Sequence, residues 1–212
     1  MAETQNLPLF PLNAVLFPNM PLPLHVFEPR YKKMINDCLK MGSDFGVVLA
    51  QPNGLAKVGT SARIENVLQT FEDGRMNILT LGQSRFRIGA ISDTSAYLTA
   101  KVEFWDDDDP HEEVEDLFQK VRSLLKDYAR LTGKISDSAI FEHYTAYSFS
   151  FFLAEINMYS LPHQQQLLEL SSTRERLEKG LQSLDFLLGR LKLDKKLQKI
   201  LGTRQTFFNI YN

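Results

Sequence analysis

The sequence predicts an α+β chain in which a strongly bent β-sheet or small barrel is followed by an all-α helical bundle. Three observations lead there. Short runs of period two, separated by turn residues, fill the first hundred positions. A block of acids ending in proline, Asp106-Asp107-Asp108-Asp109-Pro110, then interrupts the chain. Beyond it the apolar residues recur at helical spacing.

Within the β half, Leu22, Leu24 and Val26 alternate with Pro23 and His25. Pro8, Pro11, Pro18, Pro21 and Pro23 have no amide proton, which predicts edge strands or short broken pieces. Further strands are expected over residues 45–50, 58–70, 76–81, 84–91 and 97–105. Glu72-Asp73-Gly74-Arg75 reads as a hairpin turn with Gly74 at positive φ, and Gly82-Gln83 as a second turn. One helix interrupts this region. Pro29 suits its first position and Gly42 the residue past its end, with Tyr31, Met34, Ile35, Cys38 and Leu39 as its apolar stripe.

Four adjacent acids repel one another and favour a solvated connection, so the boundary is placed there. Asp109 is expected to cap the next helix, with Pro110 first inside and Glu112 completing a capping box. That helix carries Phe118, Val121, Leu125 and Tyr128 on one face and stops near Gly133. An apolar helix over 148–158 and a short one over 162–170 follow. Ser172 with Glu175 opens the last helix, whose seam is Leu177, Leu181, Leu184, Leu188 and Leu191. The expected division is a β domain over 5–105, a helical bundle over 109–202 and an apolar tail over 203–212.

Composition narrows the classes. Of 212 residues 43% are hydrophobic and 24% charged, which excludes disorder as the main state. A net charge of -2 gives no global attraction to nucleic acid or an anionic membrane. Cys38 is the single cysteine and cannot form an internal disulfide. The start lacks the basic and continuous apolar stretches of a signal peptide, and no run approaches the roughly 18 apolar residues of a membrane span. A cytoplasmic location is the expectation.

Motifs of catalysis are missing. No GxxxxGK[ST] phosphate loop, GxGxxG or G-x-S-x-G occurs. His25, His111, His143 and His163 are dispersed, with no HExxH and no Cys-His cluster, so neither a metal nor a cofactor is expected. Cys38 falls on the apolar helical stripe, where a buried structural thiol is expected over a nucleophile.

The opening Leu7-Pro8-Leu9-Phe10-Pro11-Leu12, followed by Val15-Leu16-Phe17-Pro18, resembles the start of Lon protease N-terminal domains. The stretch Pro21-Leu22-Pro23-Leu24-His25-Val26-Phe27-Glu28-Pro29-Arg30-Tyr31 is similar to that of stand-alone bacterial members. Val58-Gly59-Thr60, the Asp73-Gly74 hairpin and the strand from Gly82 to Ile88 resemble the family's central strands. So do Phe152-Leu153, Leu167-Leu168-Glu169 and Arg176-Leu177 in the helical half, and the likeness covers about residues 5–200. It implies a PUA-like β domain, or pseudo-barrel, ahead of the bundle, and a role in recruiting protein substrates. The ATPase and peptidase that follow in Lon are expected to be missing, leaving a non-enzymatic binding module, an adaptor or a regulator of proteolysis.

Four places could serve such a role. Phe27, Glu28, Arg30 and Tyr31 stand together at a helix start as a ligand contact. The alternative is structural, with Glu28 at the helix N-terminus and Arg30 paired to the sheet. Arg85 and Arg87 share a strand face that could hold RNA phosphates, against a solvated face of cross-strand ion pairs. Leu9, Phe10, Leu16, Phe17, Met20 and Leu22 are expected mostly inside, some lining a groove for an extended apolar segment. Phe207, Phe208 and Tyr211 are expected past the last helix, docked on the bundle or forming a homodimer contact.

Overall fold

The structure, a computed structural model, describes residues 4–133, 141–155 and 159–208, with side chains as far as Lys199. Among these residues lie seven strands and five α-helices. The strands are β1 (Thr4–Leu12), β2 (Pro21–Val26), β3 (Phe45–Gln51), β4 (Gly54–Leu55), β5 (Val58–Thr70), β6 (Met76–Ser92) and β7 (Thr99–Trp105). The helices are α1 (Pro29–Met41), α2 (Glu115–Thr132), α3 (Ala146–Glu155), α4 (Leu161–Glu169) and α5 (Thr173–Phe208).

The sheet closes on itself. Antiparallel pairs β1–β7, β7–β6, β6–β5 and β5–β3 are joined by the parallel pair β3–β1. β2 adds to the first half of β6, and β4 to the end of β3. Closure removes exposed edges from the ring. It also explains the prolines of β1. Residues 4–8 pair with β7 and residues 9–12 with β3, so Pro8 and Pro11 each meet one partner strand. Among the described residues β2 pairs with β6 alone and is an edge strand, as its prolines predict.

One core cluster joins Phe10, Val26, Phe45 and Ile78 of the sheet to Tyr31, Met34, Ile35 and Cys38 of α1. Phe10 stacks on Tyr31 with ring centroids 4.1 Å apart. A second cluster gathers Leu7, Leu9, Val48, Phe86 and Val102. Burying a side chain of this size stabilises by roughly 1.5–3 kcal/mol. The proline-rich opening packs inward as expected: Leu9, Phe10, Leu16, Phe17 and Met20 are buried and Leu22 half-buried.

The turn expected at Gly82-Gln83 does not form; β6 runs through it from Met76 to Ser92. Gly82 serves a close approach instead. A Cβ there would lie 2.1 Å from the Phe17 carbonyl oxygen, and Gly82 exchanges hydrogen bonds with the 19–20 backbone (Asn19 N–H to Gly82 O and Gly82 N–H to Met20 O, both 2.9 Å). Gly74, at φ 78, does make the β5–β6 turn.

In the helical half α2 and α3 pack on α5 through Phe118, Val121, Leu125, Phe149, Leu153, Leu177, Leu184 and Leu188. Phe17, Met20 and Val58 of the sheet region pack against Phe151 of α3 and Leu167 and Leu168 of α4, so the two halves share a core. The start of α2 corrects the sequence reading. It begins at Glu115 with Val114 as its cap, and Pro110 lies before it. Asp109 accepts the His111 N–H (2.9 Å), while Glu112 has a more distant task, accepting the Ser172 hydroxyl (2.8 Å) and the Arg174 N–H (2.9 Å) at the start of α5. Ser172 Oγ accepts the Glu175 N–H as expected (3.0 Å). The last helix continues through Gly202 to Phe208, so 203–208 is helical backbone and not a separate tail. The side chains of Phe207 and Phe208, Tyr211 as a whole and the 156–158 end of the expected third helix lie outside the described residues.

Candidate functional site

β2 presents alternate residues to opposite sides. Leu22, Leu24 and Val26 turn toward the core, while Pro21, Pro23 and His25 are exposed and Phe27 follows at the strand end. Phe27 is 59% exposed, a large aromatic surface left open to water. It stacks on His25 (5.9 Å), and His25 meets the edge of Phe71 from the β5–β6 hairpin (6.0 Å). Asn77 fixes the imidazole, its Oδ1 lying 2.7 Å from His25 Nδ1, and donates from Nδ2 to Gln69 (3.2 Å). On the same sheet, half-buried Leu79 and Leu81 stand opposite Pro23 and Pro21.

Charges rim this strip and neutralise one another. Arg75 lies over Phe71 (5.0 Å) and pairs with Asp73 (2.6 Å), whose carboxyl is lowered chiefly by the Arg75 backbone N–H it accepts. Lys32 of α1 donates to the Asp73 carbonyl (2.9 Å) and braces the hairpin tip. Arg30 pairs with Glu28 (2.8 Å), not across to the sheet as the structural reading expected, and lies over Tyr31. The four residues singled out at this helix start therefore separate. Phe27, Glu28 and Arg30 reach the surface, whereas Tyr31 is 6% exposed beneath Phe10, its hydroxyl pushed up by burial. His25 and Phe71 are not among the site residues expected from the sequence. The alternation of His25 with Leu24 and Val26 is the signal for its outward face; for half-buried Phe71 the signal is its place beside the Gly74 turn.

Arg85 and Arg87 part in a different way. The solvated stripe expected of them is corrected at Arg85, which is 1% exposed because α3, α4 and the start of α5 cover it. Its guanidinium donates to Asp107 Oδ1 (2.6 Å) and to the Leu168 and Leu170 carbonyls. Arg176 of α5, equally buried, donates to both Asp107 oxygens and to Ser150 (2.8 Å). Thr173 Oγ1 adds a fourth bond to Asp107 (2.7 Å). Burial alone would raise the Asp107 carboxyl, but hydrogen bonds from Arg176 and Thr173 and the charges of both arginines outweigh it and hold it low. Thus one acid of the supposedly solvated run is a buried joint between sheet and helices. No sequence feature separates Asp107 from its three acidic neighbours. Arg87 remains on the surface with its guanidinium over Trp105 (4.5 Å). Cys38 is buried, with its thiol pushed up by desolvation, as the apolar stripe predicts.

Both halves of this architecture have known counterparts. The sequence profile of the ATP-dependent protease La (LON) substrate-binding domain matches residues 6–185, and the chain belongs to that family. It is 28% identical over 209 residues to the Lon protease of Flavobacterium johnsoniae, covering 91% of this chain and 25% of that protein. Against the Lon protease of Rhizobium meliloti it is 28% identical over 216 residues, covering 92% and 26%. The chain thus spans about a quarter of the length of these relatives. A crystal structure of a Lon N-terminal domain protein from Xanthomonas campestris superposes with a TM-score of 0.64 at 29% identity, covering 84% of this chain and 97% of that one. The N-terminal domain of a Mycobacterium avium complex Lon protease gives 0.72 at 16% identity over 85% and 98%, a likeness of fold alone. The match is to the substrate-binding region of Lon, a mostly antiparallel sheet with helices.

Proposed function

We propose that this chain is a non-catalytic module that binds unfolded polypeptide segments, with Pro21, Pro23, His25, Phe27 and Phe71 as its contact face. The observation that carries this reading is the exposed run of Pro21, Pro23, His25 and Phe27 along and just past an edge strand, with half-buried Phe71 beside it, in a chain of the Lon substrate-binding family. Rigid aromatic surface gives apolar contact at small entropic cost. Binding runs through side chains more than strand addition, because Pro21 and Pro23 offer no amide donor to an added strand. The sheet part through Trp105 is read as a PUA-like domain and the part from Asp109 as a helical bundle, joined rigidly at Asp107. Service as an adaptor or regulator of proteolysis is the role this binding fits.

The test is photo-crosslinking. A benzophenone side chain replaces Phe27 or, as a control, the equally exposed Phe186 of α5. The bait is a reduced, carbamidomethylated globular protein, which is unfolded and carries no added charge. Crosslinking at position 27 and not at 186 is the expected result. Equal yields at the two positions, or none at 27, would overturn the assignment.

A further inference from the structure

A groove of about 550 Å³ lies on another part of the sheet, between the β4–β5 end and α4. Leu55 and Ile88 contribute apolar lining, Trp105 lines it as well, and Lys57 and Arg87 bring donors to it. Among the described residues neither the Lys57 ammonium nor the Arg87 guanidinium has an ion pair or hydrogen bond, although the Lys57 carbonyl accepts the Ile88 N–H (2.8 Å). Glu103 stands opposite Arg87 in register, yet Arg87 turns to the indole instead. The guanidiniums of Arg85 (4.0 Å) and Arg87 both lie over the Trp105 ring, and its buried Nε1–H meets no acceptor among the described residues. The one carboxylate lining the groove, Glu169, already accepts from Gln165 (2.8 Å). Two cations therefore face one carboxylate that is already engaged, and a positioned guanidinium is left without an anion.

We propose that this groove is a carboxylate-binding site that takes an acidic side chain or a terminal carboxylate of a peptide. Arg87 suits the planar two-oxygen geometry of a carboxylate, and Lys57 adds a point charge. Leu55 and Ile88 accommodate an apolar neighbour of the acid. Nucleic acid fits less well: single-strand binding needs aromatic faces for bases, and the Trp105 ring is already engaged by two arginines. The site does not depend on the aromatic strip and stands if that assignment fails.

Trp105 is the only tryptophan, so its emission reports on the groove directly. The full chain is titrated with four probes: an amidated peptide with internal glutamates, a neutral peptide with a free C-terminus, its amidated form, and inorganic phosphate. Calorimetry runs alongside. The proposal expects saturable binding of one or both carboxylate peptides, and which of them binds identifies the source of the acid. Arg87→Gln should weaken it about tenfold, the scale of one charge-assisted hydrogen bond, as judged by calorimetry because the substitution alters the emission itself. Phe186→Ser, an exposed change on α5 outside both sites, should leave it unchanged. No saturable binding of either carboxylate peptide, tighter binding of phosphate, or unaltered affinity in a folded Arg87→Gln protein would each overturn it.

Discussion

Replacing Asp107 by Asn removes a single negative charge from a joint that holds two buried guanidiniums. Both arginine side chains are fully inaccessible and the Asp107 side chain nearly so, so water cannot take over its role. Removing one partner of a buried pair costs about 3–5 kcal/mol, because an uncompensated charge stays behind. Asn keeps one acceptor oxygen, which places this variant near the low end, about 3 kcal/mol. For a chain of this size that lowers the melting midpoint by roughly 6–12 °C. Urea unfolding followed by Trp105 emission and far-ultraviolet dichroism measures it. Asp109→Asn removes the same charge at an exposed position and should barely move the midpoint. The pH dependence has a definite sign. The Asp107 carboxyl is lowered in the folded protein, so its stabilisation is present above the unfolded value near 4 and is lost as pH falls through the folded one. The gap between wild type and Asp107→Asn should therefore narrow below about pH 4. A loss under about 1 kcal/mol at neutral pH, or equal losses in the two variants, would refute the joint.

Two other perturbations follow from the packing. Gly82→Ala forces a Cβ against the Phe17 carbonyl, and should cost at least about 2 kcal/mol by the usual scale of overpacking, read as a lower melting midpoint. The Cys38 thiol, buried and raised, should react with a disulfide reagent at pH 8 at least an order of magnitude more slowly in the native chain than in urea.

Local chemistry made much of this fold readable. Pro29 and Gly42 bound α1, Gly74 makes its turn, and Ser172 caps α5 because each of these devices acts within a few residues. What escaped depends on distant contacts. Glu112 follows a capping pattern for the helix after it but serves the start of α5, sixty positions on. Gly82 has the composition of a turn, yet its missing side chain makes room for the Phe17 backbone. Arg85 and Arg87 are equivalent on a strand face until α3 and α4 cover one of them. The candidate site was partly legible in the same sense. Phe27 was singled out from its neighbours, but the alternation that exposes His25 and the hairpin that brings in Phe71 complete it. Tyr31 belongs to the core.

Polypeptide binding is assigned above all to the strip formed by His25, Phe27 and Phe71. Its most direct test is the affinity of a fluorescent, unfolded, carbamidomethylated polypeptide for the wild-type chain and for a Phe27→Ser, Phe71→Ser variant, measured by anisotropy. Aromatic anchors of an interface are worth about 1–2 kcal/mol or more each, so at least tenfold weaker binding is expected from a variant that keeps its fold. Equal affinity in that folded variant would show that the strip is not where the polypeptide binds.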